Sequence, residues 1–142
     1  MKNTVTTATI AIDYSRIKRD IYAESACIAL MSPESGRPEI LNGDHDRLLT
    51  LYIENAIAEF TANFCAFIDN AQLDIERIDD IVKLPFLIPE SSKIAAQVIR
   101  KLTEQIIASK VLSICYETRP ETAEALEERH SEYRSRLLIA LK

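Results

Sequence analysis

The chain has 142 residues, enough for one domain that hides roughly two thirds of its unfolded surface, and 47% hydrophobic against 27% charged residues excludes a disordered composition. Seventeen basic residues against 22 acidic ones give a net charge of -5, and no Lys/Arg cluster stands apart from acids, which argues against nucleic acid and anionic membranes as partners. Two glycines in all leave little for tight turns or phosphate-cradling loops, so long helices with few reversals are expected.

Residues 1–12 read as an extended arm. Within it "TVTTATIAI" is β-branched and partly alternating, with Val5, Ile10 and Ile12 as apolar marks, so a short strand is the other reading. The start has no continuous apolar core like that of a signal peptide, and no apolar run approaches ~20 residues, so a soluble cytosolic product is expected. Asp13 is a good N-cap for a helix to about Ser32, with Tyr14, Ile17, Ile21, Ile28 and Met31 as its stripe and Pro33 as its end. Residues 33–43 hold two prolines and both glycines and form the clearest loop.

From Asp44 the spacing predicts a helix of about seven turns. Leu49, Tyr52, Ile53, Ala56, Ile57, Phe60, Phe64, Phe67 and Ile68 recur at three and four residues and give the strongest amphipathic signal in the chain. Residues 71–88 mix alternation (Leu73, Ile75) with helical spacing (Ile78, Ile81, Val82) between breaks at Pro85 and Pro89, and are expected to be an irregular connector with room for a short strand or hairpin. Ser91 or Ser92 can cap a central helix to about Tyr116 that is apolar on most of its circumference. Thr118 and Glu121 form a capping box around Pro120, and the last helix carries Leu126, His130, Tyr133, Leu137 and Leu141 on one stripe. The expected fold is all-α: a single domain of about four helices with an extended N-terminal arm and an irregular connector between the two long central helices.

Chemistry has few places to sit. Asp44, His45 and Asp46 are consecutive, so on a helix their side chains fan apart by about 100° each and cannot converge on one ion. Metal phosphohydrolases that share the His-Asp pair need further histidines upstream, and none precedes His45. Capping by Asp44, with Asp46 in the first turn facing the helix dipole, accounts for the triplet. Glu127-x-x-His130 is half of a carboxylate-bridged di-iron pattern whose other half is missing, since His45 has no Glu three residues before it. Glu128 in its charged stretch suits an ion pair one helical turn away. Cys27, Cys65 and Cys115 are odd in number, widely spaced and without a local histidine, and read as buried free thiols in a reducing compartment. Asp79-Asp80 suits a turn or cap. No catalytic, cofactor-binding or metal residue is expected, and an enzyme is the minority reading.

Three features are similar to the small helical head-to-tail connector (adaptor) proteins of long-tailed bacteriophages and prophages. An acidic start leads into Asp46, Leu48, Leu49, Leu51, Ile53, Ala56 and Ile57, like that family's first long helix, with Phe60 and Phe64 at its aromatic end. "IPESSKIAAQVI", with Ile88-Pro89 ahead of Ile94, Ala95 and Ala96, resembles the start of its second long helix. Tyr116, Glu117 and Arg119 fit the tyrosine-acid-x-arginine ending of that helix. The chain departs from the family in its longer leader before residue 43, in lacking a glycine turn after the first long helix, and in its charged final helix.

The resemblance covers about half the chain and implies a structural virion or prophage protein, a homo-oligomeric ring seated between portal and tail-side proteins, assembled in the cytoplasm and carried in the virion. Ring contacts are then expected from the 1–12 arm, the 33–43 loop and the final helix. The alternative is a stand-alone helical protein–protein interaction or regulatory module, pairing through the Leu126 to Leu141 stripe.

Overall fold

The computed structural model describes residues 5–32, 36–90, 92 and 94–142. In chain order the elements are β1 (Val5–Asp13), α1 (Tyr14–Met31), α2 (Asp46–Asn63), β2 (Ile81–Pro89), α3 (Ala96–Cys115) and α4 (Pro120–Leu141). Short 3-10 turns at Gly43–His45 and Cys65–Phe67 flank α2. Among the described residues four helices are present, as expected. The fold is mostly helical but not all-α, because the arm and the second half of the connector pair as an antiparallel ribbon.

The ribbon runs from Val5 opposite Pro89 to Asp13 opposite Ile81. Even-numbered residues point at the helices: Ile10, Ile12, Val82, Leu84 and Phe86 are buried, while Thr7, Thr9 and Ala11 are exposed. Proline in a sheet needs a position whose N–H would point away from the ladder. Pro85 and Pro89 both satisfy this, since the Pro85 carbonyl turns outward to accept from Asp69 N–H at 2.8 Å and the Pro89 carbonyl from Ser92 N–H at 2.9 Å. Asp79 and Asp80 adopt φ of 53° and 62°, the left-handed pair of a two-residue hairpin turn that brings Ile78 and Ile81 into mutual backbone hydrogen bonds. The Asp79-Asp80 turn is therefore real, and its strain falls on two residues that carry a Cβ.

Local signals set the start of α1. Asp13 Oδ1 accepts from Ser15 N–H at 2.9 Å, and Ser32 closes the far end. The expected stripe holds at Tyr14, Ile17 and Ile21, which are buried, but Met31 is 88% exposed and Ala29 takes the inner position instead. Pro33 and Ser91 lie outside the described residues. Two other helix starts need correction. Helix α3 begins at Ala96 with no side-chain cap, and Ser92 instead donates to the Ala140 carbonyl at the end of α4. Helix α4 begins at Pro120 with Arg119 as its cap residue and no capping box from Thr118, because proline at the first helical position fixes the residue before it as non-helical.

The long helix predicted from Asp44 to Ile68 stops at Asn63. Phe64, Phe67 and Ile68 keep apolar spacing, yet the chain tightens into the Cys65–Phe67 turn and Ile68 becomes extended, bridging Phe86 on the far edge of β2. The burial of these residues was expected and their geometry was not. Phe60 and Phe64 stack at 4.6 Å between centroids, and Phe60 meets Phe86 edge-on at 6.1 Å, which locks α2 to the ribbon. Helix α3 is the hub. It packs against α1, α2, α4 and β1, and is buried at Ile99, Thr103, Ile107, Val111 and Leu112.

Candidate assembly surfaces

The Asp44-His45-Asp46 triplet is pulled three ways. Asn42 caps the short Gly43–His45 turn: its Oδ1 accepts from Asp44 N–H at 2.9 Å, while His45 Nδ1 accepts from Asn42 N–H at 3.0 Å, a reciprocal box with histidine in the third position, and α2 itself begins after His45 with no side-chain cap. This corrects the expectation of an Asp44 cap; Asp44 is exposed and lies in the short turn ahead of α2. The other ring nitrogen, His45 Nε2, faces Glu39 at 3.5 Å. Asp46 opens α2 and reaches Lys18 Nζ at 2.7 Å. Among the described residues no three His, Cys, Asp or Glu side chains gather as a metal site would require.

His130 sits half-buried on the α4 stripe with Nδ1 3.0 Å from the Ile106 carbonyl and 3.3 Å from Ser109 Oγ. Burial pushes its pKa below the ordinary histidine value, against the Ile106 carbonyl that favours the charged ring; Arg134 and Lys110 push it further down. Glu127 is exposed on another face. The ion pairs of α4 run from Arg129 to Glu24 of α1 and from Arg136 to Glu132, in place of one through Glu128. The thiols also need correction. Cys27 and Cys65 are exposed and Cys115 is half-buried, its pKa pushed up to about 11 by burial and then by Glu117.

Two buried polar clusters escape a reading of the sequence. Glu104, 4% exposed on α3, accepts from Asp13 N–H at 3.0 Å, from Arg16 Nε at 3.0 Å and a second Arg16 nitrogen at 3.0 Å, and from Arg100 at 3.4 Å. The Glu104 bond holds the Arg16 guanidinium above its ordinary range. The only sequence signal was a lone acid inside an apolar helix. The second cluster joins Ser25 Oγ to Tyr116 Oη at 2.8 Å, and the same oxygen accepts from Leu41 N–H at 2.7 Å. Arg119 donates to the Gly36 carbonyl. The tyrosine-acid-x-arginine ending thus ties the segment before α2 onto the ends of α1 and α3.

No protein-family model, curated protein or solved structure matches this chain.

Three kinds of surface stand out. Large apolar side chains are exposed at both ends of α3, which spans about 30 Å. Near its start the Val5–Pro89 pairing and the Ser92–Ala140 bond bring Val5, Val98 and Ile139 (75% exposed) to one end. Near its finish are Leu30 (72% exposed), Met31 and Ile40. A groove of about 500 Å³ lies on the outer face of the ribbon, with Pro85, Ile78 and Ile81 in its lining and Asp74, Glu76 and Asp79 facing Lys83. The third surface is the outer edge of β1. No helix is long and apolar enough to cross a membrane among the described residues.

Proposed function

We propose that this chain is a connector subunit of a long-tailed phage or prophage, a ring-forming structural protein that joins a head-side portal to tail-side proteins. The observation that carries the reading is that large apolar side chains are exposed at both ends of α3: Val5, Val98 and Ile139 at one, Leu30, Met31 and Ile40 at the other. A protein that bridges two partners needs a contact surface at each end, and exposed large apolar side chains suit such surfaces. The resemblance at Asp46 to Phe64 and at Tyr116 to Arg119 supports the same reading. Arg119 and Tyr116 act here by fixing the end that carries Ile40.

The charged flanks of α4, including the Arg129–Glu24 and Arg136–Glu132 pairs, suit polar contacts between ring neighbours. The test is negative-stain microscopy of the protein mixed with the portal protein of the same phage or prophage. Rings docked on the portal are expected. Met31→Glu and Ile139→Glu should each lose one partner, portal or tail protein, while keeping the other. A protein that stays monomeric with its portal, or loses both partners from either substitution, would sink the reading.

A further inference from the structure

The outer edge of β1 is built to take another strand. In the ribbon, residues with even numbers exchange hydrogen bonds with β2, so Val5, Thr7, Thr9 and Ala11 direct their N–H and C=O groups away from it. The parity is fixed by Pro85, whose outward carbonyl meets Asp69, and by Asp13, whose outward N–H meets Glu104. Among the described residues no backbone group pairs with the edge from Val5 to Ala11. Proteins usually protect such an edge with lysine, proline, a bulge or a covering element. From Val5 to Ile12 there is no lysine or proline and every residue is uncharged, and the pairing with β2 runs without a bulge.

We infer that β1 pairs antiparallel with β1 of a second copy, about a two-fold axis at Ala8. The strand is its own complement in that register: Thr7 faces the partner's Thr9, Val5 its Ala11, and Thr6 its Ile10. Ala8, the smallest side chain of the inward face, meets itself on the axis, so nothing large collides there. Four outward residues on each copy give about eight new backbone hydrogen bonds, and cross-strand Thr–Thr pairs are favourable. With no charge from Val5 to Ala11, the stretch that pairs, the two-fold brings no like charges together there, as a charged edge would. Glu104 ends the run by occupying the N–H of Asp13. The result is one four-stranded sheet in the order β2, β1, β1, β2 across two subunits.

This pairing is the form of the unassembled protein and does not rest on the connector reading. A two-fold contact makes the two subunits equivalent and opposed, so it cannot persist in a ring with distinct head and tail faces. On the connector reading, ring assembly begins by parting the dimer.

The test uses the full chain without any partner. Sedimentation equilibrium should show a concentration-dependent dimer. Thr7→Pro and Thr9→Pro remove outward N–H groups that the ladder to β2 does not use, and each should weaken the dimer at least about tenfold while leaving the circular dichroism melt nearly unchanged. Should proline disturb folding, Thr7→Lys with Thr9→Lys keeps every N–H and sets four lysines around the axis, and should also give monomers. With Cys27→Ser and Cys65→Ser in the background, Ala8→Cys should cross-link to a dimer on mild oxidation, because opposed residues at a non-hydrogen-bonded site lie about 4.5 Å apart at Cα, within disulfide range. A monomer at ~100 µM overturns the proposal, as does a dimer indifferent to these substitutions. Cross-linking of Thr7→Cys or Thr9→Cys with no cross-linking of Ala8→Cys overturns the axis.

Discussion

Asp13 caps α1 with its side chain while its own backbone N–H is held by Glu104, 91 residues away, at 3.0 Å. One residue thus ends β1, starts α1 and anchors both to α3. Glu104 is buried among Arg16, Arg100 and this N–H, so removing it deprives four donors on three residues at once. Glu104→Ala should destabilise the fold by about 2–4 kcal/mol, the lower figures reflecting the partial exposure of Arg16, and Glu104→Gln by about half as much. Urea unfolding followed by circular dichroism measures both; equal losses would mean that the contribution rests wholly on the charge, and a Gln variant as stable as the parent that the charge adds nothing to the hydrogen bonds.

Lys18 and Asp46 form a lopsided pair. The amine is nearly buried and the carboxylate more than half exposed, at 2.7 Å. Asp46→Ala should cost about 1–2 kcal/mol by leaving the ammonium under-solvated, whereas Lys18→Met, which keeps the aliphatic stem, should cost less than ~0.5 kcal/mol or stabilise. A double-mutant cycle by urea unfolding separates the pair from the helix-start role of Asp46.

His130 should make the fold acid-sensitive. Burial lowers its pKa, so the unfolded chain takes up a proton first as pH falls through about 6.5. The stability present above that pH is lost progressively until the folded-state value is passed. The facing charges are Lys110 of α3, Glu59 of α2 and Arg134 of α4. Melting temperatures should fall from pH 7.5 to pH 5, and His130→Gln should flatten that slope. An unchanged slope would assign the acid response to carboxylates elsewhere.

The Asp79-Asp80 turn holds two non-glycine residues at positive φ. Asp79→Asn with Asp80→Gly supplies the pair this turn type prefers and should stabilise by about 1 kcal/mol in thermal or urea unfolding. Tyr14 reports on the same change. Its phenol is pushed up to about 12, by burial first and by Glu54 next, with Asp80 adding to them. Removing the Asp80 charge should lower the tyrosine titration midpoint seen by ultraviolet absorbance.

Helix signals were legible where they are local. Asp13 announces α1 by a side chain that bonds two residues onward, and the Leu49 to Phe60 spacing gives α2. The ribbon was not legible, because β1 and β2 pair across more than 60 residues and Pro85 and Pro89 look like breaks until their outward-facing positions are seen. Phe64 and Ile68 misled for a related reason. Burial spacing alone does not tell a helical turn from a chain that doubles back to touch Phe86. At the triplet the charges drew attention away from Asn42, a better cap, and from the ring nitrogen of His45 that completes it. Glu104 was the least visible, since its partners come from β1, α1 and its own helix.

Pro85 and Pro89 give the ribbon unequal flanks. On the far side of β2 two donors are missing and Ile68 crosses at Phe86, so that margin has little to offer another backbone. Only β1 can be extended, and once two β1 strands meet, both outer margins of the joined sheet are proline-blunted. Strand addition therefore terminates itself at two chains, and an uncharged β-rich segment that would otherwise seed fibrils has a built-in stopping point.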